Sequence, residues 1–134
     1  MNYDSTGYIE FRTLLANGAL PASGVNIRIK GAEEGNIGVD YSIITDEDGL
    51  SETIPLPAPS RNYSLAPLPA EQVYAGYEVE IYKDGYYGKR ITNVSIFDGV
   101  KSVLAIELVP DSRGEHLSAP INRDTIIEEN EDLI

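Results

Sequence analysis

Any reaction run by this 134-residue chain has to be built from one histidine, no cysteine and twenty-two carboxylates. The histidine, His116, lies close to the C-terminus in a charged tail. A Ser-His-Asp relay needs its imidazole fixed against a rigid nucleophile, which a tail does not supply. A catalytic zinc site takes three protein ligands, and one histidine without thiolates is a poor start. The absence of cysteine also excludes disulfides. No catalytic residue, metal ligand or cofactor-binding residue is assigned, and the chain is expected not to be an enzyme.

Two carboxylates alone suffice for glycoside hydrolysis. Glu10, Glu78, Glu80 and Glu107 are the candidates, but each falls at an outward position of an alternating segment. The simpler assignment is the solvated face of a sheet. Asp46, Glu47 and Asp48 before Gly49 offer oxygen ligands for calcium. A calcium loop of the helix-loop-helix type needs a glutamate at its twelfth position, and counting from Asp46 that position is Pro57. The run therefore reads as a turn in which the aspartate binds its own backbone and Gly49 takes positive φ. Gly85, Gly88 and Gly99 are turn glycines; none opens a helix after a strand, so no phosphate cradle is implied.

The feature that exceeds expectation is aromatic. Of the nine tyrosines, Tyr74, Tyr77, Tyr82, Tyr86 and Tyr87 fall close together. Tyrosines on a sheet surface anchor protein contacts or stack on sugar rings with little entropy loss. The absence of tryptophan weighs against the sugar. By alternation Tyr77 faces inward with Val79 and Ile81, and Tyr82 outward with Glu78 and Glu80. Tyr74, Tyr82, Tyr86 and Tyr87 are thus the candidate interaction surface.

The elements that must position these residues are strands. Alternation dominates and helical periodicity is nearly absent. Tyr8 to Leu15 places Ile9, Phe11 and Leu14 inward; Val25 to Lys30 reads V-N-I-R-I-K; Val39 to Thr45 is β-branched; Tyr77 to Lys83 reads Y-E-V-E-I-Y-K. Asn17-Gly18, Asp84-Gly85 and Asp98-Gly99 are turn dipeptides. Tyr86 to Val94 and Ser95 to Phe97 follow the second of these, and Lys101 to Val109 closes the set, with Val103, Leu104, Ala105, Ile106 and Leu108 competing for the core. Pro55, Pro57 and Pro59 remove ladder donors and fix φ, so the chain is expected to leave its sheet there, with a brief strand near Tyr63 to Leu65. About seven short strands with turn signals at this spacing indicate an all-β, antiparallel or mixed Greek-key β-sandwich.

Residues 1–6 read as an N-terminal extension, 7–110 as the sandwich and 111–134 as an acidic, flexible tail. The end of the tail, with Ile126, Ile127, Leu133 and Ile134, has the pattern of one or two helical turns or a docking peptide. A net charge of −12 disfavours nucleic acid and anionic membranes as partners. The N-terminus lacks the pattern of a signal peptide, and no window is long and apolar enough for membrane insertion, so the chain is expected to be cytoplasmic as synthesised, with spore association as its further destination.

The segments G-Y-I-E-F-R (Gly7 to Arg12), A-L-P-A-S-G-V-N-I-R-I (Ala19 to Ile29), T-D-E-D-G-L (Thr45 to Leu50), I-P-L-P-A-P (Ile54 to Pro59), Y-S-L-A-P (Tyr63 to Pro67), Y-E-V-E-I-Y-K-D-G-Y (Tyr77 to Tyr86) and V-S-I-F-D-G-V-K-S-V (Val94 to Val103) together resemble a carboxypeptidase-regulatory-like, or transthyretin-like, sandwich. Within that class they are most similar to the N-terminal domain of clostridial spore-cortex-lytic enzymes and related peptidoglycan-binding proteins. The resemblance implies a non-catalytic accessory module in a spore- or cell-wall-associated assembly, with a protein partner or a cell-wall glycan as ligand. A free terminal strand would also permit homo-oligomers by edge pairing.

Overall fold

The computed structural model describes residues 3–15, 18–60, 73–111 and 127–130. Two sheets face each other across one core, so the chain is the all-β sandwich that its alternation predicts. In the first sheet β1 (Ser5–Leu15) is central. Along one side of it run β2 (Leu20–Pro21) and β5 (Ile54–Ala58), both antiparallel; along the other runs β8 (Lys101–Glu107), parallel. The second sheet has the order β4 (Asp40–Ile44), β3 (Asn26–Gly31), β6 (Tyr74–Tyr82), β7 (Lys89–Phe97), β9 (Ile127–Asn130). Six of these strands, β1, β3, β4, β6, β7 and β8, fall where alternation puts them; β5 arises in the proline run, and the short β2 and β9 are additional.

Alternation does what it must. Ile9 and Phe11 from β1, Ile27 and Ile29 from β3, and Tyr77, Val79 and Ile81 from β6 are buried in one cluster with Leu56, Ile91 and Ile96. Tyr77 is fully buried, and its hydroxyl donates to the Pro57 carbonyl at 2.6 Å, across the core. At the end of the core, Thr13 and Thr45 are buried with their hydroxyls 3.2 Å apart. Thr13 also donates to the Ala22 carbonyl at 2.7 Å, and Thr45 accepts from the Val25 amide at 3.0 Å. Buried hydroxyls need such partners. The Asp46 turn forms as expected: its Oδ1 accepts from the Asp48 and Leu50 amides at 2.9 and 3.0 Å, and Gly49 has φ 74°.

Several expectations are corrected. The proline run does not leave the sheet. Ile54–Ala58, with Pro55 and Pro57 inside it, pairs with β1 from Ile9 to Ser5. In an antiparallel strand successive residues turn their amides to opposite edges. Ile54, Leu56 and Ala58 serve β1, and both prolines fall on the outer edge, where no donor is required.

In β8 the core positions are Ile106 and, just past the strand, Leu108, with Leu104 packed at the margin; Val103 is 59% exposed and Ala105 is exposed. Leu14 is only half-buried, at an outward position of β1. β7 is one strand from Lys89 to Phe97, not two pieces, and it carries a bulge. Tyr77 pairs with Val94 but Val79 with Ile91, so β7 holds one extra residue. Asn93 has φ 58°, and asparagine tolerates that region. The bulge lets Ile91 and Val94, three apart, both face the core.

The boundaries move at both ends. β1 starts at Ser5, and the Tyr3 hydroxyl donates to Glu33 Oε1 at 2.6 Å, so residues 3–6 of the expected extension are joined to the sandwich. The tail contributes β9, parallel to β7 from Lys89↔Ile127 to Thr92↔Asn130, where a helical turn was expected at Ile127. Backbone pairing to a ready edge outweighs a helical propensity that is marginal in a short peptide. The segment Tyr63 to Leu65, His116, Ile126, Leu133 and Ile134 lie outside the described residues.

Candidate functional site

The outer face of the five-stranded sheet is built in rows by the register of β4, β3 and β6. Ile44, Asn26 and Tyr82 lie side by side in the first row. Ser42, Arg28 and Glu80 form the second, extended by Arg90 on β7. Asp40, Lys30 and Glu78 form the third. Period-two alternation puts all of these on the side opposite Ile27, Ile29, Val79 and Ile81.

Ion pairs cross the rows on the diagonal. Arg28 grips Asp40 with two hydrogen bonds, Nε to Oδ1 at 3.0 Å and Nη2 to Oδ2 at 2.7 Å. Lys30 lies 3.0 Å from Glu80, and Arg90 Nε lies 3.3 Å from Glu78. The Arg28 guanidinium holds the Asp40 carboxyl below its ordinary range, and Asp40 in turn raises Arg28. The Arg28–Asp40 pair is open to solvent and contributes little to stability, whereas the other two are partly covered. Their larger effect is to hold a set of long side chains in place.

Between the first two rows lies a depression of about 310 Å³, lined by Asn26, Arg28, Ser42, Glu80, Tyr82 and Lys89. Tyr82 is 39% exposed and Ile44, beside Asn26 in the first row, 62%. An aromatic ring and an aliphatic side chain beside amide, hydroxyl and charged groups suit an amphipathic ligand: apolar contact supplies affinity, and the polar groups set orientation.

The four candidate tyrosines do not form one patch. Tyr74 and Tyr82 are at opposite ends of β6, about 26 Å apart along an extended strand. Tyr74 is half-buried against Phe97, with ring centroids 5.7 Å apart. Tyr86 packs against the core and bridges to Pro110, and the Tyr87 amide donates to the Val109 carbonyl at 2.9 Å. Of the four, Tyr82 is the one in the depression. Arg28, Asn26, Ser42, Lys89 and Ile44 were not singled out in the sequence. The signal was there: once β3 is paired with β6, the outward positions of V-N-I-R-I-K fall beside Tyr82 and Glu80.

The candidate carboxylates are divided between the two sheets. Glu78 and Glu80 lie on β6 among cations, while Glu10 is on the other sheet, 2.8 Å from Lys101, whose hydrogen bond lowers its pKa. Glu107 sits opposite Leu14 on the same outer face as Glu10. Among the described residues no group of three or more histidine, aspartate or glutamate side chains is placed to hold a metal ion, and no helix is long and apolar enough to cross a membrane.

No family model matches the chain, and no curated protein does. Solved structures do. The Bacillus anthracis TIE protein matches over 80% of this chain and 17% of its own, with 15% identity and a TM-score of 0.52. Catechol 1,2-dioxygenase from Pseudomonas arvilla C-1 matches over 89% of this chain and 56% of its own, with 14% identity and a TM-score of 0.54. The same enzyme from Acinetobacter sp. ADP1 matches over 92% and 58%, with 13% identity and a TM-score of 0.55. The chain thus spans under two thirds of each of these proteins. At such identities the likeness is one of fold, and it carries no activity across.

Proposed function

We propose that this chain is a non-catalytic interaction module that binds a protein partner through the outer face of its five-stranded sheet. The supporting observation is the Tyr82 depression: an exposed ring and the exposed Ile44 beside a floor of fixed charged and amide groups. Rigid aromatic anchors with a polar surround are the usual composition of a contact centre. The sequence resemblance to carboxypeptidase-regulatory-like and spore-cortex-lytic N-terminal domains supports a role for such a module in a spore- or cell-wall-associated assembly.

A second ligand class fits the same residues. Asn26 and Ser42 beside Tyr82 are groups that hydrogen-bond sugar hydroxyls while a ring covers the sugar face. A cell-wall glycan is therefore the alternative.

One pair of assays separates the two. Tyr82→Ala and Ile44→Asp, with unchanged denaturation midpoints, are compared with wild type for capture of protein from spore-former extracts and for co-sedimentation with purified peptidoglycan. Loss of one defined protein in both variants, with no sedimentation of wild type, supports the first class. Sedimentation that is lost in Tyr82→Ala supports the glycan. Retention of all binding in both variants rejects the face.

A further inference from the structure

The sandwich seals its sheet edges unequally. Pro55 and Pro57 strip the outer edge of β5 of donors, and Tyr77 occupies the Pro57 carbonyl. β9 lies along β7 from Lys89 to Thr92. β4 is a five-residue edge bearing Asp40 and Ser42. β8 is different: it has seven residues, no proline, and among the described residues no strand on the side away from β1. An edge of that length is normally covered or blunted.

The parallel ladder tells which groups of β8 are available. Tyr8 N donates to the Val100 carbonyl and Leu108 N to the Leu14 carbonyl, both at 2.9 Å. The even-numbered residues of β8 therefore direct their backbone groups at β1, and Lys101, Val103, Ala105 and Glu107 direct theirs away. The side chains of these four stand on the outer face, where Val103 is 59% exposed.

We propose that β8 is the seam of a twofold-symmetric homodimer, with two copies of the strand paired antiparallel about Leu104. In this register Lys101 faces the partner's Glu107, Val103 faces the partner's Ala105, and the same contacts recur across the axis. The four odd-numbered residues are the hydrogen-bonded positions, as the pairing geometry demands. The two Leu104 residues meet as a close non-bonded pair on the core side. Each lysine joins Glu10 of its own chain to the partner's glutamate. The strand K-S-V-L-A-I-E is self-complementary in charge, as an isologous interface requires.

Neighbouring registers fail. A two-residue slide one way sets Lys101 against Ala105 and leaves both charges unmatched. A slide the other way sets Lys101 against Val109, whose carbonyl is already taken by the Tyr87 amide at 2.9 Å. The one continuous sheet so formed leaves the Tyr82 depression, on the opposite sheet of each copy, untouched.

Sedimentation equilibrium of the full chain tests the seam, with denaturation midpoints as the control for folding. Wild type is expected to show a monomer–dimer equilibrium. Lys101→Glu and Glu107→Lys each place like charges opposite one another twice, and each is expected to raise the dimer dissociation constant at least about tenfold. Mixing the two variants is expected to restore a dimer containing one copy of each, and the double variant to dimerise alone. Ala105→Pro, which removes one outward amide and no bond to β1, is expected to abolish the dimer. Wild type that stays monomeric throughout its soluble range, or single variants that dimerise as well as wild type, would overturn the proposal.

Discussion

The Tyr77 hydroxyl donates to the Pro57 carbonyl at 2.6 Å, joining the middle of the five-stranded sheet to the proline-bearing edge of the other. One bond thereby satisfies a buried phenol and an edge carbonyl that no neighbouring strand reaches. Tyr77→Phe keeps the ring and leaves that carbonyl without its donor. It is expected to destabilise the fold by about 1–2 kcal/mol, read as a lower urea midpoint with an unchanged slope.

The same phenol makes stability depend on alkaline pH. Burial pushes Tyr77 well above the ordinary value of 10.0. The neutral form is the one the fold holds, so its contribution is complete below pH 10 and is lost as pH rises further, when the unfolded phenol ionises first. Urea midpoints at about pH 9 and pH 11 are expected to differ more for wild type than for Tyr77→Phe.

Gly49 is required by both conformation and space. Its φ is 74°, and a Cβ built there would lie 2.5 Å from the Thr13 carbonyl and 3.1 Å from the Ala22 amide. Gly49→Ala is expected to cost about 2 kcal/mol or more and to disturb the Thr13–Thr45 hydroxyl pair. Gly85→Ala, with φ 88° but open space around it, is expected to cost less. Thermal melts of the two variants give the comparison.

The prolines of β5 protect an edge. Pro55→Thr returns an amide to the outer side of that strand without touching its bonds to β1. The variant is expected to fold and to aggregate at lower protein concentration than wild type, as followed by light scattering.

Much of the fold was legible because strand alternation is a local signal. Ile27 and Ile29, and Tyr77, Val79 and Ile81, declare their inward face without knowledge of any partner. Where the outcome depended on a partner, the sequence was silent. Whether Pro55 and Pro57 break a strand depends on which edge lies open. Whether Val103 or Leu104 enters the core depends on the register of β8 against β1. The bulge at Asn93 shows only through the pairing of β6 with β7. The candidate site was legible as the outward position of Tyr82, whereas Arg28, Ser42 and Ile44 join it through strand pairing, which no local pattern states.

Site-specific photo-crosslinking in spore-forming cells addresses most directly whether this chain acts through the face around Tyr82. A photoreactive residue is placed at Ile44, beside Asn26 on the same face, and in a second protein at Pro55, on the proline-bearing edge. Specific adducts from position 44 that vanish with Tyr82→Ala, and none from position 55, are the expected result. Adducts from position 55 with none from position 44 would contradict it.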